Sequence, residues 1–147
     1  MLLTWQYFHW KELTPETLYK ILALRAEVFV VEQQCAYLDL DDKDEKAHHL
    51  CVFSESNLIG YTRVFLQKKT CSIGRVVVQK KFRGKQIGKQ LMIKSIAQIP
   101  PEKEVFISAQ EHLKSFYTSL GFKQSGAGYL EDGIPHIPML LPPHPSN

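Results

Sequence analysis

The 147-residue sequence has no long apolar runs and little cysteine, and each shortage excludes a class of protein. No window reaches the roughly 18 consecutive apolar residues that a membrane-spanning helix needs. The three cysteines, Cys35, Cys51 and Cys71, are too few and too scattered for a disulfide framework, which favours a reducing, cytoplasmic location. The opening residues also lack the basic and apolar segments of a secretory signal. We therefore expect neither secretion nor a membrane partner.

Acidic residues are missing from the middle of the chain. Residues 56–101 carry 10 Lys and Arg and no Asp or Glu, whereas residues 1–55 carry 5 basic and 10 acidic side chains. Such an uncompensated basic segment predicts an anionic partner, which could be a phosphate-bearing cofactor, a nucleic acid or an acidic surface. The alternative is a basic surface that binds nothing.

Metal-binding motifs are also missing. The sequence contains no His-Glu-x-x-His and no paired cysteine motif. The acidic run 39–45 fails as an EF-hand, because Lys43 takes the fifth ligand position and Leu50 the place of the terminal glutamate. We therefore expect no metal site.

Hydrophobic periodicity and turn residues predict one domain at 1–141 and a C-terminal tail at 142–147. Helices are predicted from Pro15 to about Val31 and over 88–99 and 113–120. Strands are predicted over 5–10, 48–53, 58–66, 72–79, 105–107, 128–131 and 136–141. Because the strands come first and then alternate with helices, the pattern indicates an α/β (α+β) protein with a mixed sheet.

The segment between the strand that ends at Val78 and the next helix is both basic and glycine-containing. Backbone N–H groups that open a helix have no partner and can bind an anion, and Gly84 and Gly88 would let a phosphate approach the backbone. The spacing excludes a Walker A loop, because only three residues separate the two glycines and Gln90 follows Lys89. A dinucleotide fingerprint is excluded too, because it needs three glycines.

Residues 83–88, Arg-Gly-Lys-Gln-Ile-Gly after a valine-rich strand, resemble the acetyl-CoA pyrophosphate motif of the GNAT N-acetyltransferases. Residues 116–122 resemble the later Tyr-x-x-x-Gly-Phe signature of the same family. The segments 24–33, 37–41 and 132–136 are similar to features of its ElaA-like subgroup. Together these matches cover nearly the whole chain in the family's order.

The resemblance implies the GNAT fold, a central mixed, mostly antiparallel sheet of about six to seven strands flanked by about four helices. It implies an enzyme that moves an acetyl group from acetyl-CoA to a primary amine on a small molecule or peptide. A possible homodimer also follows from the family.

The resemblance also implies which residues bind the cofactor. Val76, Val77 and Val78 would pair their backbone with the pantetheine arm, and Gln110 would bond the same arm. The residues implied to hold the pyrophosphate are consecutive: Arg83, Gly84, Lys85, Gln86, Ile87, Gly88 and Lys89. Gln86 departs from the motif, which has glycine there. We expect the Gln86 side chain to point away from the pyrophosphate. We also expect the affinity for the cofactor to be lower than with glycine at this position.

Tyr117 is the residue that the resemblance implies as proton donor to the leaving thiolate, with a backbone N–H near Val77 or Val78 stabilising the oxyanion. A tyrosine pKa of about 10 against a thiol near 8.5 makes this transfer uphill by roughly 2 kcal/mol unless the site lowers the pKa of Tyr117. The alternative is a core residue, because Tyr117 lies on the apolar stripe of its helix.

The acceptor side is less determined. Arg25 interrupts the apolar face of the first helix, where it either reaches into the acceptor pocket or binds a carboxylate or backbone carbonyl. Phe29 and His49 are further candidates for the acceptor side. The general base stays open between a water relay, an already neutral amine and four side chains: His49, Glu111, His112 and His136.

Two rival functions remain. One is a GNAT-fold protein that binds acyl-CoA without catalysing transfer, which predicts no effect of Tyr117→Phe. The other is a nucleic-acid-binding module that uses the basic segment with Phe65 and Phe82, which predicts steeply salt-dependent binding of oligonucleotides. We favour the enzyme and expect no nucleic-acid partner.

Overall fold

The computed structural model describes residues 2–144. Met1 and residues 145–147, the end of the predicted tail, lie outside the described residues. The start of that tail is tied to the body of the protein, because the backbone N–H of His144 donates to the carbonyl of Pro101 at 2.8 Å. No helix in the described part of the chain is both long enough and apolar enough to cross a bilayer.

Residues 2–144 form eight strands and three α-helices. The strands are β1 (Leu3–His9), β2 (His48–Ser54), β3 (Asn57–Phe65), β4 (Thr70–Val78), β5 (Glu104–Gln110), β6 (Lys123–Gln124), β7 (Tyr129–Glu131) and β8 (Ile134–Leu141). The helices are α1 (Pro15–Arg25), α2 (Ile87–Ala97) and α3 (Lys114–Ser119), and a π-helical segment, Ala26–Glu32, follows α1.

The strands form one sheet in the order β1-β2-β3-β4-β5-β8-β6, and β7 pairs with β8. Every pairing is antiparallel except that of β4 with β5, on either side of α2 in the chain. The predicted mixed, mostly antiparallel sheet is confirmed. It has one strand more than predicted, since β6 is two residues long and too short to show alternation. The described part of the chain has three α-helices rather than about four.

Helices cover both faces of the sheet because the central strands are apolar on both sides. Cys51 and Phe53 of β2 pack in one core cluster with Ile21 and Leu24 of α1. The intervening residue Val52 packs on the opposite face, in the cluster that holds α2. The alternation of β2 therefore places α1 and α2 on opposite faces.

The first helix begins as predicted, and it changes from α-helical to π-helical geometry before its predicted end. The Thr14 side chain accepts a hydrogen bond from the Thr17 N–H at 3.1 Å, and Pro15 occupies the first turn. The α-helix ends at Arg25 and continues directly as a π-helix to Glu32, so the predicted helical extent to about Val31 is confirmed, although its last part is not α-helical. The π-helical segment contains three valines, whose branched side chains crowd an α-helical turn.

Strands β4 and β5 separate soon after they begin. Their pairing covers only Thr70–Ser72 on β4, so the β5-facing edge of β4 is left without a partner strand beyond Ser72 within residues 2–144. A bulge on β4 bends it further: one residue, Thr62, lies between Tyr61 and Arg63 on β3, whereas two residues, Arg75 and Val76, lie between their partners on β4. Arg75, inside the bulge, has a φ of 49°. The divergence opens a cleft in the middle of the sheet.

Candidate active site between the diverging strands

The cleft has a volume of about 820 Å³ and is lined by residues from β4, the α2 N-terminus, β5, the β7–β8 turn and the π-helical segment. This volume falls within the range of small-molecule and cofactor sites. The free edge of β4, from Ile73 to Val78, forms one wall. Val76, Val77 and Val78 therefore lie where an extended ligand could pair with their backbone.

The N-terminus of α2 forms one end of the cleft. Gln86, the residue before α2, has no side-chain capping hydrogen bond, and the first turn contains no acidic residue. The N–H groups that open α2 are therefore available to an anion, and the basic side chains of the preceding loop raise the potential there. Every predicted cofactor-binding residue lines the cleft except Lys85, whose ammonium lies 6.0 Å from the centre of the Phe82 ring.

Two residues of this loop adopt left-handed backbone. Gly84 has a φ of 77°, which favours glycine. Gln86 has a φ of 64° although it carries a side chain. Residue 86 therefore keeps the left-handed conformation that suits the glycine of the family motif. Because Gln86 carries a side chain, its backbone is strained there.

Arg83 does not extend freely into the cleft. Its guanidinium forms a bidentate pair with Glu32 at 2.5 and 3.0 Å, and its Nε donates to the Val78 carbonyl at 3.0 Å. Hydrogen bonding to Arg83 lowers the pKa of Glu32 and outweighs the smaller opposing effect of burial. A phosphate that bound Arg83 would therefore share the guanidinium with this carboxylate or displace it.

The end of the π-helical segment bridges the cleft at two further points. The Gln110 side-chain amide donates to the Gln33 side-chain carbonyl at 3.3 Å, so the predicted pantetheine ligand is engaged with this segment. The Cys35 thiol donates to the Asp132 carbonyl at 3.3 Å. Residues 32–35 therefore contact the loop before α2, strand β5 and the β7–β8 turn.

Tyr117 lines the cleft while its ring belongs to the core. The ring packs edge-on against Phe116 and Phe122, with centroids 5.0 and 6.0 Å apart. Burial raises the pKa of Tyr117 to about 12. This is the opposite of the lowering that easy proton donation requires, and it keeps the hydroxyl protonated at neutral pH. Tyr117 is therefore a core residue that also lines the cleft, and its role as proton donor stays a prediction.

The structure corrects the placement of Arg25, which does not line the cleft. Its side chain is fully buried and bonds Asp39 at 2.8 Å and Asp44 at 2.7 Å. Of the two readings that the sequence left open, the carboxylate-bound one is observed.

Arg25 belongs to a larger arginine–aspartate network. Arg63 reaches Asp41 at 2.7 Å and Asp44 at 3.0 Å, and Arg75 reaches Asp39 at 2.9 Å. The network comprises Arg25, Arg63, Arg75, Asp39, Asp41 and Asp44. Three positive and three negative side chains therefore neutralise one another, and two of them, Arg63 and Arg75, also line the cleft.

His49 is also placed away from the cleft and is corrected as an acceptor-side residue. It is fully buried. Its Nε2 lies 2.9 Å from the Asp44 carbonyl, to which it donates, and its Nδ1 lies 2.5 Å from the Tyr61 hydroxyl. Burial lowers the pKa of His49. With both ring nitrogens bonded out of reach of the cleft, His49 cannot take a proton from a ligand there.

Phe29, the third acceptor-side candidate, does line the cleft. The opposite wall contains side chains that the sequence did not assign to the site, among them Ser108 and Glu131, together with His136, which it left as one of several candidates. The available signal was the Asp132-Gly133 turn, which predicts a hairpin and so fixes which residues share a face. The described residues contain no group of three or more His, Cys, Asp or Glu side chains arranged to bind a metal.

Residues 11–142 match the family model described as an acetyltransferase (GNAT) domain. The chain is 40% identical to the ElaA protein of Escherichia coli K12 over 146 residues, which cover 94% of this chain and 95% of that protein. The crystal structure of Escherichia coli ElaA has a TM-score of 0.89 at 39% identity and covers 95% of this chain and 99% of its own.

Two further crystal structures share the fold. An acyl-CoA N-acyltransferase from Pseudomonas aeruginosa has a TM-score of 0.86 at 38% identity, covering 93% of this chain and 98% of its own. An aminoglycoside 6′-N-acetyltransferase complexed with coenzyme A has a TM-score of 0.68 at 15% identity, covering 99% and 100%, and shows the fold alone. From the family match and the relatives at 38–40% identity, the chain belongs to the GNAT acetyltransferase family, in its ElaA-like subgroup.

Proposed function

We propose that this protein transfers an acetyl group from acetyl-CoA to a primary amine. The observation that carries the proposal is the continuity of two features, the unpaired edge of β4 and the uncapped, basic N-terminus of α2 that follows it. A ligand with an extended amide arm and a diphosphate matches both, since the arm can add to the strand edge and the diphosphate can meet the helix.

The residues present fit coenzyme A. The backbone from Val76 to Val78 would hold the pantetheine arm, and the loop from Gly84 to Lys89 would hold the diphosphate. When bound, acetyl-CoA supplies a thioester carbonyl that is reactive toward amines. A backbone N–H at Val77 or Val78 can donate to the oxygen of that carbonyl, where negative charge develops.

Tyr117 Oη holds the proton for the leaving sulfur. With the Tyr117 pKa at about 12, proton transfer to a thiolate of ordinary pKa near 8.5 is uphill by about 5 kcal/mol. A typical turnover of roughly 10 per second corresponds to a barrier of about 16 kcal/mol. The raised pKa therefore leaves room for Tyr117 to act as the acid.

Two measurements test the proposal together. Acetyl-CoA should raise the melting temperature of the protein, and the protein should release free thiol from acetyl-CoA with members of a panel of primary amines. Tyr117→Phe keeps the ring packing, so we expect an unchanged melting temperature and a kcat lower by on the order of 10²-fold. Phe116→Leu, at the neighbouring aromatic residue, serves as a packing control. We expect it to lower the melting temperature and to change kcat less than Tyr117→Phe does.

Other outcomes would contradict this function. A melting temperature that acetyl-CoA does not change would overturn the cofactor assignment. Binding of acetyl-CoA without thiol release from any amine would indicate the non-catalytic acyl-CoA-binding protein instead.

A further inference from the structure

The wall of the cleft opposite β4 carries a polar cluster whose geometry the acetyl-CoA site does not explain. His136 on β8 pairs with Gln110 of β5 on one side and with Tyr129 of β7 on the other. Since side chains alternate along strands, Ser108 and Glu131 lie on the same face as these three residues. Ser108, Gln110, Glu131 and His136 all line the cleft.

The tautomer of His136 follows from its one hydrogen bond to backbone. Its Nδ1 lies 2.7 Å from the carbonyl oxygen of Ile134, and a carbonyl only accepts. Nδ1 therefore carries the proton, and in the neutral ring Nε2 presents a lone pair. The tight β7–β8 turn, in which Asp132 and Gly133 have φ values of 51° and 78°, fixes Ile134 and so the ring.

The lone pair of Nε2 faces another acceptor. The Glu131 carboxylate oxygen Oε2 lies 3.4 Å from Nε2. Ser108 contacts the same carboxylate, because its Oγ donates a hydrogen bond to Glu131 Oε1 at 3.4 Å. The Ser108 hydroxyl also bonds the Tyr129 hydroxyl. A neutral imidazole and a carboxylate cannot bond each other without a donor between them. The pair is therefore complementary to a group that brings N–H donors and positive charge.

We infer that Glu131 and His136 bind the acceptor as a primary alkylammonium and that His136 Nε2 is the base that takes its proton. The inference rests on the proposed function. One ammonium N–H bond breaks, its electron pair stays on the amine nitrogen, and the proton bonds to Nε2. The charge moves from the ammonium to the imidazole ring, where Glu131 continues to stabilise it. The neutral amine is then a nucleophile, and the imidazolium later releases its proton to water.

The size of the effect follows from amine protonation. An alkylamine with a pKa of about 10.4, the ordinary lysine value, is neutral in roughly one molecule in 10³ at pH 7.4. A base within the site removes this disadvantage, up to roughly 10³-fold. An aromatic amine or hydrazine of low basicity is already neutral at that pH and gains nothing from the base.

The experiment compares these two kinds of amine in the His136→Asn variant of the full chain. Asparagine keeps an N–H for the Ile134 carbonyl and removes the Nε2 lone pair. We expect kcat/KM to fall on the order of 10²–10³-fold with an alkylamine and less than about threefold with the weakly basic amine. His144→Asn, at a histidine whose exposed side chain lies outside the cleft, should change neither value.

Glu131→Gln supplies a second variant at a residue that is 47% exposed in its side chain and so tolerant of substitution. It should raise KM for the alkylamine and leave KM for the weakly basic amine unchanged. In the free protein, nitrogen-15 NMR of the ring should place the single proton of its neutral form on Nδ1.

Three outcomes would overturn the inference. An equal loss for both amines in His136→Asn would assign His136 a structural role only. A proton on Nε2 of the neutral ring would remove the base. No thiol release by the native protein with either amine would instead overturn the proposed function, and the inference with it.

Discussion

Gln86 is the residue at which this chain departs from its family motif. Its φ of 64° places a side-chain-bearing residue in the left-handed region, directly before the first turn of α2. Glycine reaches that region without steric cost, whereas other residues lose about 1–2 kcal/mol there. The loop conformation is therefore retained by its surroundings rather than by the local preference of residue 86.

Substituting Gln86→Gly should stabilise the protein by about 1 kcal/mol because it relieves this strain. Urea denaturation measures the free energy of unfolding. Gln90→Gly, four residues along in the interior of α2, is the matched control and should destabilise by about 1 kcal/mol. Losses of equal size at both positions would show that residue 86 bears no strain.

At the scale of secondary-structure elements, the cleft is both formed and crossed. The β4 bulge and the short β4–β5 pairing open it, whereas the π-helical segment reaches over it to the loop before α2. The Glu32–Arg83 pair connects these two elements. It places a carboxylate against the arginine that the family motif assigns to the diphosphate, so the two anions compete for one guanidinium.

Glu32→Gln should tighten acetyl-CoA binding by up to about fivefold, the effect expected when an exposed pair worth about 0.2–1 kcal/mol no longer has to break. Arg83→Glu should weaken binding tenfold or more, since it removes a charge-assisted bond and adds repulsion. Titration calorimetry gives both dissociation constants. Lys123→Glu on β6 makes the same change of net charge away from the cleft and should leave the affinity near that of the native protein. Weaker binding in Glu32→Gln would show that Glu32 orients Arg83 instead.

Across the whole molecule, the arginine–aspartate network joins distant parts of the chain. It ties α1 and strands β3 and β4 to the loop that carries Asp39, Asp41 and Asp44. Two arginines of the basic segment are thereby paired with aspartates of the acidic first third. The charge separation in the sequence is therefore partly cancelled in the fold, since Arg63 and Arg75 no longer contribute uncompensated positive charge.

The network should make the protein acid-sensitive. Burial alone would raise the pKa values of Asp41 and Asp44, but hydrogen bonds and charges from Arg63 and Arg25 outweigh it and hold both below the ordinary value. Because the folded pKa values lie below the unfolded ones, this stabilisation is complete above about pH 4 and is lost as pH falls toward the folded values. Each proton taken up on unfolding contributes a slope of about 1.4 kcal/mol per pH unit.

Urea denaturation between about pH 4 and 2.5 measures that slope. Asp44→Asn should make it shallower by up to about 1.4 kcal/mol per pH unit. Asp42→Asn, at an exposed aspartate in the same loop, should leave it unchanged. Identical slopes in both variants would mean that Asp44 titrates normally in the folded protein.

The sequence by itself determined what depends on neighbours along the chain. Thr14 and Pro15 predict the start of α1, alternation predicts the strands to within a few residues, and the Arg83–Gly88 motif locates the cleft-lining loop, because capping, alternation and loop conformation are local properties. Only the tertiary structure decided which distant groups meet. Arg25 could face a pocket or a carboxylate until the loop of Asp39 and Asp44 was placed against it. The facing of His136 and Glu131, and the divergence of β4 from β5, depend on strand register and bulges, which are fixed by packing between segments far apart in the chain.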